Sequence, residues 1–232
     1  MKTIGMLGGM SWESTAEYYR LLNQLTRDRL GGLHSAKCLL YSVDFAEIER
    51  LQVAGRWQEA GEILAAAAKS LEAAGADLLL LCTNTMHKVA DQISAATAVP
   101  LLHLADATAE AVRAAGCTRA GLLGTAFTME QDFYRGRLAA NGLDVLIPDE
   151  PGRALVHRVI YEELCLGEVR EESRLAYQRV IADLVAAGAE GIILGCTEIE
   201  LLIGREHSPV PVFPTARLHA QAAVEAALGG AP

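Results

Sequence analysis

The sequence lacks what most partners of biological macromolecules rely on. Positive charge is in deficit: 20 lysines and arginines face 29 aspartates and glutamates, a formal net charge of −9. A phosphate backbone is held by surplus positive charge, so this balance argues against a nucleic-acid partner, while leaving room for a local pocket for a small anion. Aromatic residues are only 5% of the chain, too few to build stacking platforms for single strands. The longest strongly apolar run, residues 78–82, is far short of the roughly 20 residues that span a membrane. The first residues carry one lysine and then a strand-like run broken by Gly8 and Gly9, which does not read as an export signal. Cys38, Cys82, Cys117, Cys165 and Cys196 form no CxxC pair, and no HExxH or similar ligand spacing occurs. The expectation is free thiols in a reducing cytoplasm and no metal.

What is present is an alternation. Short apolar runs at 4–7, 36–42, 78–82, 100–103, 119–123, 145–147, 191–194 and 210–213 are bounded by Gly, Asp or Pro. Between them lie periodic segments, among them 57–74, 105–115, 129–140, 171–187 and 215–228. Continuous apolar strands separated by amphipathic helices predict an α/β protein with mostly parallel sheets covered on both faces. The pattern also repeats. Gly5-Met6-Leu7-Gly8 recurs as Gly121-Leu122-Leu123-Gly124, 116 residues on; Ala74-Gly75-Ala76-Asp77 recurs as Ala187-Gly188-Ala189-Glu190, 113 residues on; and Pro100 matches Pro211. Three matches in order predict an internal duplication and two pseudo-symmetric lobes. The expected first lobe is 1–105 plus 212–232 and the second 106–211, with the ligand held in a cleft between the lobes by strand C-terminal ends.

Those strand ends carry the chemistry. One reads Leu81-Cys82-Thr83-Asn84-Thr85-Met86-His87, the other Leu194-Gly195-Cys196-Thr197-Glu198. Hydroxyls and free N–H groups at a helix start suit a carboxylate. The offset of 113 places Thr83, not Cys82, opposite Cys196, and strand alternation turns Cys82 to the other face. Cys196 is thus the expected base, its thiol lowered by a helix N-terminus. The turn Gly8-Gly9-Met10-Ser11 and the turn at Gly124-Thr125-Ala126-Phe127-Thr128 follow the first strand of each half, without P-loop or dinucleotide spacing. Asp44 ends a strand, and Arg50 or Gln52 is placed to meet a substrate side chain. His87 either orients the site or caps and packs; His219 opens the last helix.

Taken together, Leu7-Gly8-Gly9-Met10-Ser11, Thr83-Asn84-Thr85-Met86-His87, Gly124-Thr125-Ala126-Phe127-Thr128, Gly195-Cys196-Thr197-Glu198 and Leu218-His219-Ala220 resemble the aspartate/glutamate racemase family, nearest its bacterial L-aspartate/glutamate-specific and broad-specificity branch. The resemblance implies a cofactor-independent enzyme, often a homodimer, that inverts Cα of an amino acid between two cysteines. Here it implies Cys196 and Thr83 as the catalytic pair. Asn84, Thr85, Thr125, Thr128 and Thr197 would hold the carboxylate, with Met10, Ser11 and Gln52 completing the substrate site. Two departures stand out: Thr83 where the family has its first cysteine, a pattern that resembles the L-specific branch, and Pro214 where it usually has Asp. Related scaffolds include maleate isomerases, malonate decarboxylases and hydantoin racemases. An amino-acid binder without turnover is the remaining reading.

Overall fold

Four runs dominated by small and aliphatic residues become the central strands because, apart from the exposed Arg119 that opens one of them, nothing in them needs water. β1 (Ile4–Gly8) is buried at every residue. The computed structural model, which describes residues 1–229, continues with α1 (Trp12–Leu30), β2 (Cys38–Ser42), α2 (Phe45–Val53) and α3 (Trp57–Ala73). Then come β3 (Leu78–Leu81), a 3₁₀ turn at Thr85–Val89, α4 (Ala90–Ala95), β4 (Leu101–Leu102) and α5 (Leu104–Ala114). The second series is β5 (Arg119–Gly124), α6 (Ala126–Glu130), α7 (Asp132–Ala140), β6 (Asp144–Leu146), α8 (Glu150–Glu162) and α9 (Glu171–Ala186). It closes with β7 (Gly191–Gly195), 3₁₀ turns that include Thr197–Leu201, β8 (Val212–Pro214) and α10 (Thr215–Leu228).

All strands pair in parallel, in two sheets of order β2-β1-β3-β4 and β6-β5-β7-β8. The chain forms two compact units: residues 1–104 with 219–229, and Ala105–Leu218. The return to the first unit falls inside α10 rather than at 212, because β8 pairs with β7 and so stays in the second unit. The single helix expected over 129–140 is two, because Gln131 is extended and separates α6 from α7.

Register makes the duplication concrete. Leu7 pairs with Leu81 in one sheet and Leu123 with Leu194 in the other; Leu79 pairs with Leu101, and Ile192 with Val212. These pairs superimpose at the same sequence offsets as the repeat, so Thr83 and Cys196 occupy equivalent places beyond equivalent strands. In the first unit, α3 lays Ala60, Leu64, Ala67, Ala68 and Leu71 onto Leu7, Leu79 and Leu81. Each fully buried leucine there contributes roughly 2 kcal/mol of burial free energy. In both sheets the chain moves to one side after the first strand and to the other after the third. The carboxyl ends of β1 and β3, and of β5 and β7, are therefore topological switch points, where open α/β sheets bind ligands.

Candidate functional site

At the switch point of the first unit, the turn after β1 is locked by a single side chain. Thr15 Oγ1 accepts the Gly9 N–H at 2.8 Å and donates to the Ser11 carbonyl at 2.8 Å. Gly9 has φ 94°. A Cβ there would stand 2.2 Å from the Val43 carbonyl oxygen, so only glycine fits. Ser11 caps α1, accepting from Ser14 N–H at 3.2 Å, while Met10 is buried. Ser14 Oγ donates to the Cys82 carbonyl at 3.3 Å, which joins this turn to the end of β3.

Cys82 is 0% exposed, and burial pushes its thiol far up, with Cys38 adding to the effect. Thr83, one residue on, is half-buried, and Asn84 and Thr85 are buried behind it. Gln52 is buried too, and its amide donates to Met86 Sδ at 3.0 Å. Asp44 caps α2 through Ala46 N–H, and Arg50 Nε donates to the Ala46 carbonyl; both bonds lie within α2 and its cap.

Behind these residues two histidines are buried as neutral rings. Burial, and to a lesser extent His103 and His219, hold His87 well below the usual imidazole range. Burial holds His219 at about 4, opposed by its bond to Leu102. A histidine depressed in the folded state favours folding above its unfolded value and loses that contribution as pH falls. The first unit should therefore weaken progressively from about pH 6.5 to about pH 4, with roughly 3 kcal/mol attributable to His219. Urea midpoints measured at pH 7 and 4.5 check this; equal midpoints would refute it.

At the second unit's switch point, Thr125 caps α6, accepting from Thr128 N–H at 3.3 Å, and the two hydroxyls lie 3.2 Å apart. Ala126 N–H donates to His157 Nδ1 at 3.2 Å. Gly195 precedes the cysteine because a Cβ there would stand 2.9 Å from the Leu123 carbonyl oxygen. Cys196 is 9% exposed, with Thr197 buried beside it, and it opens the 3₁₀ turn Thr197–Leu201. Its Sγ–H donates to Glu198 Oε2 at 2.9 Å.

That contact corrects the expectation of a lowered thiol. Burial raises Cys196 well above the ordinary thiol value; the Glu198 charge and the hydrogen bond to its carboxylate raise it further, and only the Glu198 backbone N–H opposes them. A 3₁₀ turn of five residues has too little aligned dipole to offset desolvation. Glu198 is the residue that sequence reasoning quoted and left without a role. The signal was a carboxylate two residues past a strand-end cysteine, which a tight turn folds back onto the sulfur.

In each unit the two turns follow neighbouring strands: the turn of Met10 and Ser11 and the segment Thr83–Thr85 follow paired β1 and β3, and the turn of Thr125 and Thr128 and the segment Cys196–Thr197 follow paired β5 and β7. Among the described residues no three His, Cys, Asp or Glu side chains are grouped to hold a metal ion. No helix among them is long and apolar enough to cross a membrane.

Residues 7–223 match the Asp/Glu/hydantoin racemase family model. A candidate Asp/Glu racemase from Yersinia pestis, known from its crystal structure, is 58% identical with TM-score 0.94, over 98% of this chain and 100% of that one. An aspartate racemase homologue from Pyrococcus horikoshii is 35% identical with TM-score 0.88, over the same shares. The broad-specificity amino-acid racemase of Bacillus subtilis is 25% identical over 161 residues, 68% of this chain and 67% of that protein.

Proposed function

The chain belongs to the Asp/Glu/hydantoin racemase family, and from that premise we propose that it is a cofactor-independent racemase of acidic L-amino acids, aspartate or glutamate, with Cys196 as the base at Cα. The observation that carries this reading is the Cys196–Glu198 pair: a buried thiol at a strand end whose proton already points at a carboxylate. Transfer of that proton from Sγ to Oε2 leaves a thiolate, which the Glu198 backbone N–H favours. The thiolate takes the Cα proton, so the Cα–H bond breaks and an S–H bond forms. Threonine hydroxyls and backbone N–H groups at the strand ends hold the substrate carboxylate as charge develops on it. Thr83 serves the opposite face: its hydroxyl passes a proton to Cα as it takes one from water, and the proton gained by the Cys196–Glu198 pair returns to water, so inversion leaves every group as it began. Support for Thr83 in this role is its register, equivalent to that of Cys196.

One thiol and one hydroxyl make an asymmetric pair. A threonine hydroxyl is a far weaker acid than a thiol, whose free value is about 8.5. In deuterated water, initial deuterium entry at Cα should be faster for the L isomer than for the D isomer. Thr83→Cys should raise D exchange relative to L. The equilibrium constant is unity, so the asymmetry shows in wash-in and not in the final ratio. Equal D and L exchange in the wild type would sink the one-thiol reading. No exchange with any amino acid would sink the racemase reading itself.

A broader substrate range is the second reading, favoured by the likeness to the Bacillus subtilis broad-specificity enzyme. The same exchange assay, run over neutral and basic amino acids, separates the two.

A further inference from the structure

His87 sits four residues past Thr83, and both of its ring nitrogens are committed. The Thr83 carbonyl lies 2.8 Å from Nδ1 and only accepts; the Leu104 backbone N–H lies 3.2 Å from Nε2 and only donates. The ring is therefore the neutral tautomer with its proton on Nδ1. His219 is fixed in the opposite tautomer. Its Nε2–H donates to the Leu102 carbonyl at 2.8 Å, and its Nδ1 accepts from Tyr18 Oη–H at 2.9 Å. His103 packs edge-on against His87 with ring centroids 4.6 Å apart, and His219 lies 5.8 Å from His87.

The place of these contacts in the chain matters. Leu104 is the last residue of the first unit before the chain leaves it, and His219 is the first after its return. Leu104 donates to the ring that grips the Thr83 backbone, and His219 packs edge-on against that ring. A buried histidine in any role needs partners for both nitrogens; what singles out His87 is that its donor falls on the backbone of Thr83. Here a donor and an acceptor of opposite direction fix ring, tautomer and turn together.

We propose that His87 is a positioning residue for Thr83: its Nδ1–H holds the Thr83 carbonyl so that the neighbouring hydroxyl is set for proton delivery to Cα. The proposal rests on the racemase reading above, and deepens it. His87 touches neither substrate nor reacting atom; it acts through the backbone of Thr83. The same bond leaves Cys82 N–H to the Leu7 carbonyl and Thr83 N–H to the Leu81 carbonyl, so the turn is held on its amide side by the sheet and on its carbonyl side by the ring.

Two amides dissect the ring. Asparagine places an N–H donor where Nδ1–H stands, so His87→Asn keeps the bond to Thr83 and loses the acceptor for Leu104. Glutamine reaches the position of Nε2, so His87→Gln keeps an acceptor for Leu104 and loses the bond to Thr83. The readout is the ratio of Cα deuterium exchange with retention to exchange with inversion, starting from the L substrate. Retention needs only the Cys196–Glu198 side of the site, whereas inversion also needs Thr83. H87Q should raise that ratio about tenfold or more, with KM little changed, since a misplacement of about 1 Å costs up to about 10²-fold. H87N should keep the wild-type ratio while losing thermal stability.

An unchanged ratio in folded H87Q, or equal changes in both variants, overturns the inference while wild-type exchange leaves the racemase reading standing. A wild type that exchanges no amino acid overturns both. Should H87Q not fold, imidazole ¹⁵N shifts of the wild type decide: a proton on Nδ1 from pH 5 to 8 supports the clamp, and one on Nε2 removes it.

Discussion

Cys196→Ser should abolish Cα deuterium exchange from L-aspartate and L-glutamate, by about 10³-fold or more, in a protein that folds normally. Serine fills the space of cysteine, so the hydrogen bond to Glu198 survives and packing around the 9% exposed site is undisturbed. What disappears is a group that can carry negative charge: a hydroxyl is a much weaker acid than a thiol, and the same burial that raises the thiol acts on it too. Loss of general-base function alone is worth about 10²–10⁴-fold. Cys82→Ala is the control. Cys82 is completely enclosed, so it should cost modest stability through a small cavity and retain most activity. Near-wild-type exchange in C196S removes Cys196 from the mechanism. Losses of equal depth in folded C82A and C196S would mean that the site works with two thiols.

The second large effect belongs to Glu198→Gln. Glutamine keeps the shape and can still bond to the sulfur, but it cannot take the proton. The thiol must then ionise into a desolvated site, with burial still opposing it even after the carboxylate charge is gone. Exchange near pH 7 should fall about 10²–10³-fold, within the range for removing a positioned base. The pH profile should change as well. On the proposed mechanism, in which thiol and carboxylate pass one proton between them, the wild type should be flat from pH 7 to 9. E198Q should gain about tenfold per pH unit over that span, because each unit multiplies the thiolate fraction by ten below the thiol's own value. A flat E198Q profile at wild-type rate would show that the carboxylate is a bystander. Steady-state exchange rates and the rate of Cys196 alkylation, measured across the same pH series, check both parts.

Much of this molecule was written in local pattern. The runs around Ile4, Leu78, Arg119 and Gly191 are too apolar and too short for anything but buried strands, and glycine or aspartate marks their ends. The repeat offsets alone align Thr83 with Cys196 in sequence, and the pairings Leu7–Leu81 and Leu123–Leu194 follow the same arithmetic. Ser11 and Thr125 announce helix starts by side-chain chemistry that acts within three residues.

Tertiary structure decided what depends on solvent exclusion and on partners distant in sequence. Whether the Cys196 thiol is raised or lowered is a contest between a local dipole and desolvation, and only the packed surroundings determine the second. The break at Gln131 is a backbone state that periodicity does not encode. The strand pairing of 212–214 keeps that stretch in the second unit until His219. His219 meets Tyr18 across 201 residues and Leu102 across 117, so no local pattern could join them. Sequence by itself determined the strands, the repeat and the residue types at the strand ends, because these follow from hydrophobic period and backbone preference over a few residues. The protonation of those residues, and the histidines that hold them, were decided only when the fold removed water and brought distant groups into contact.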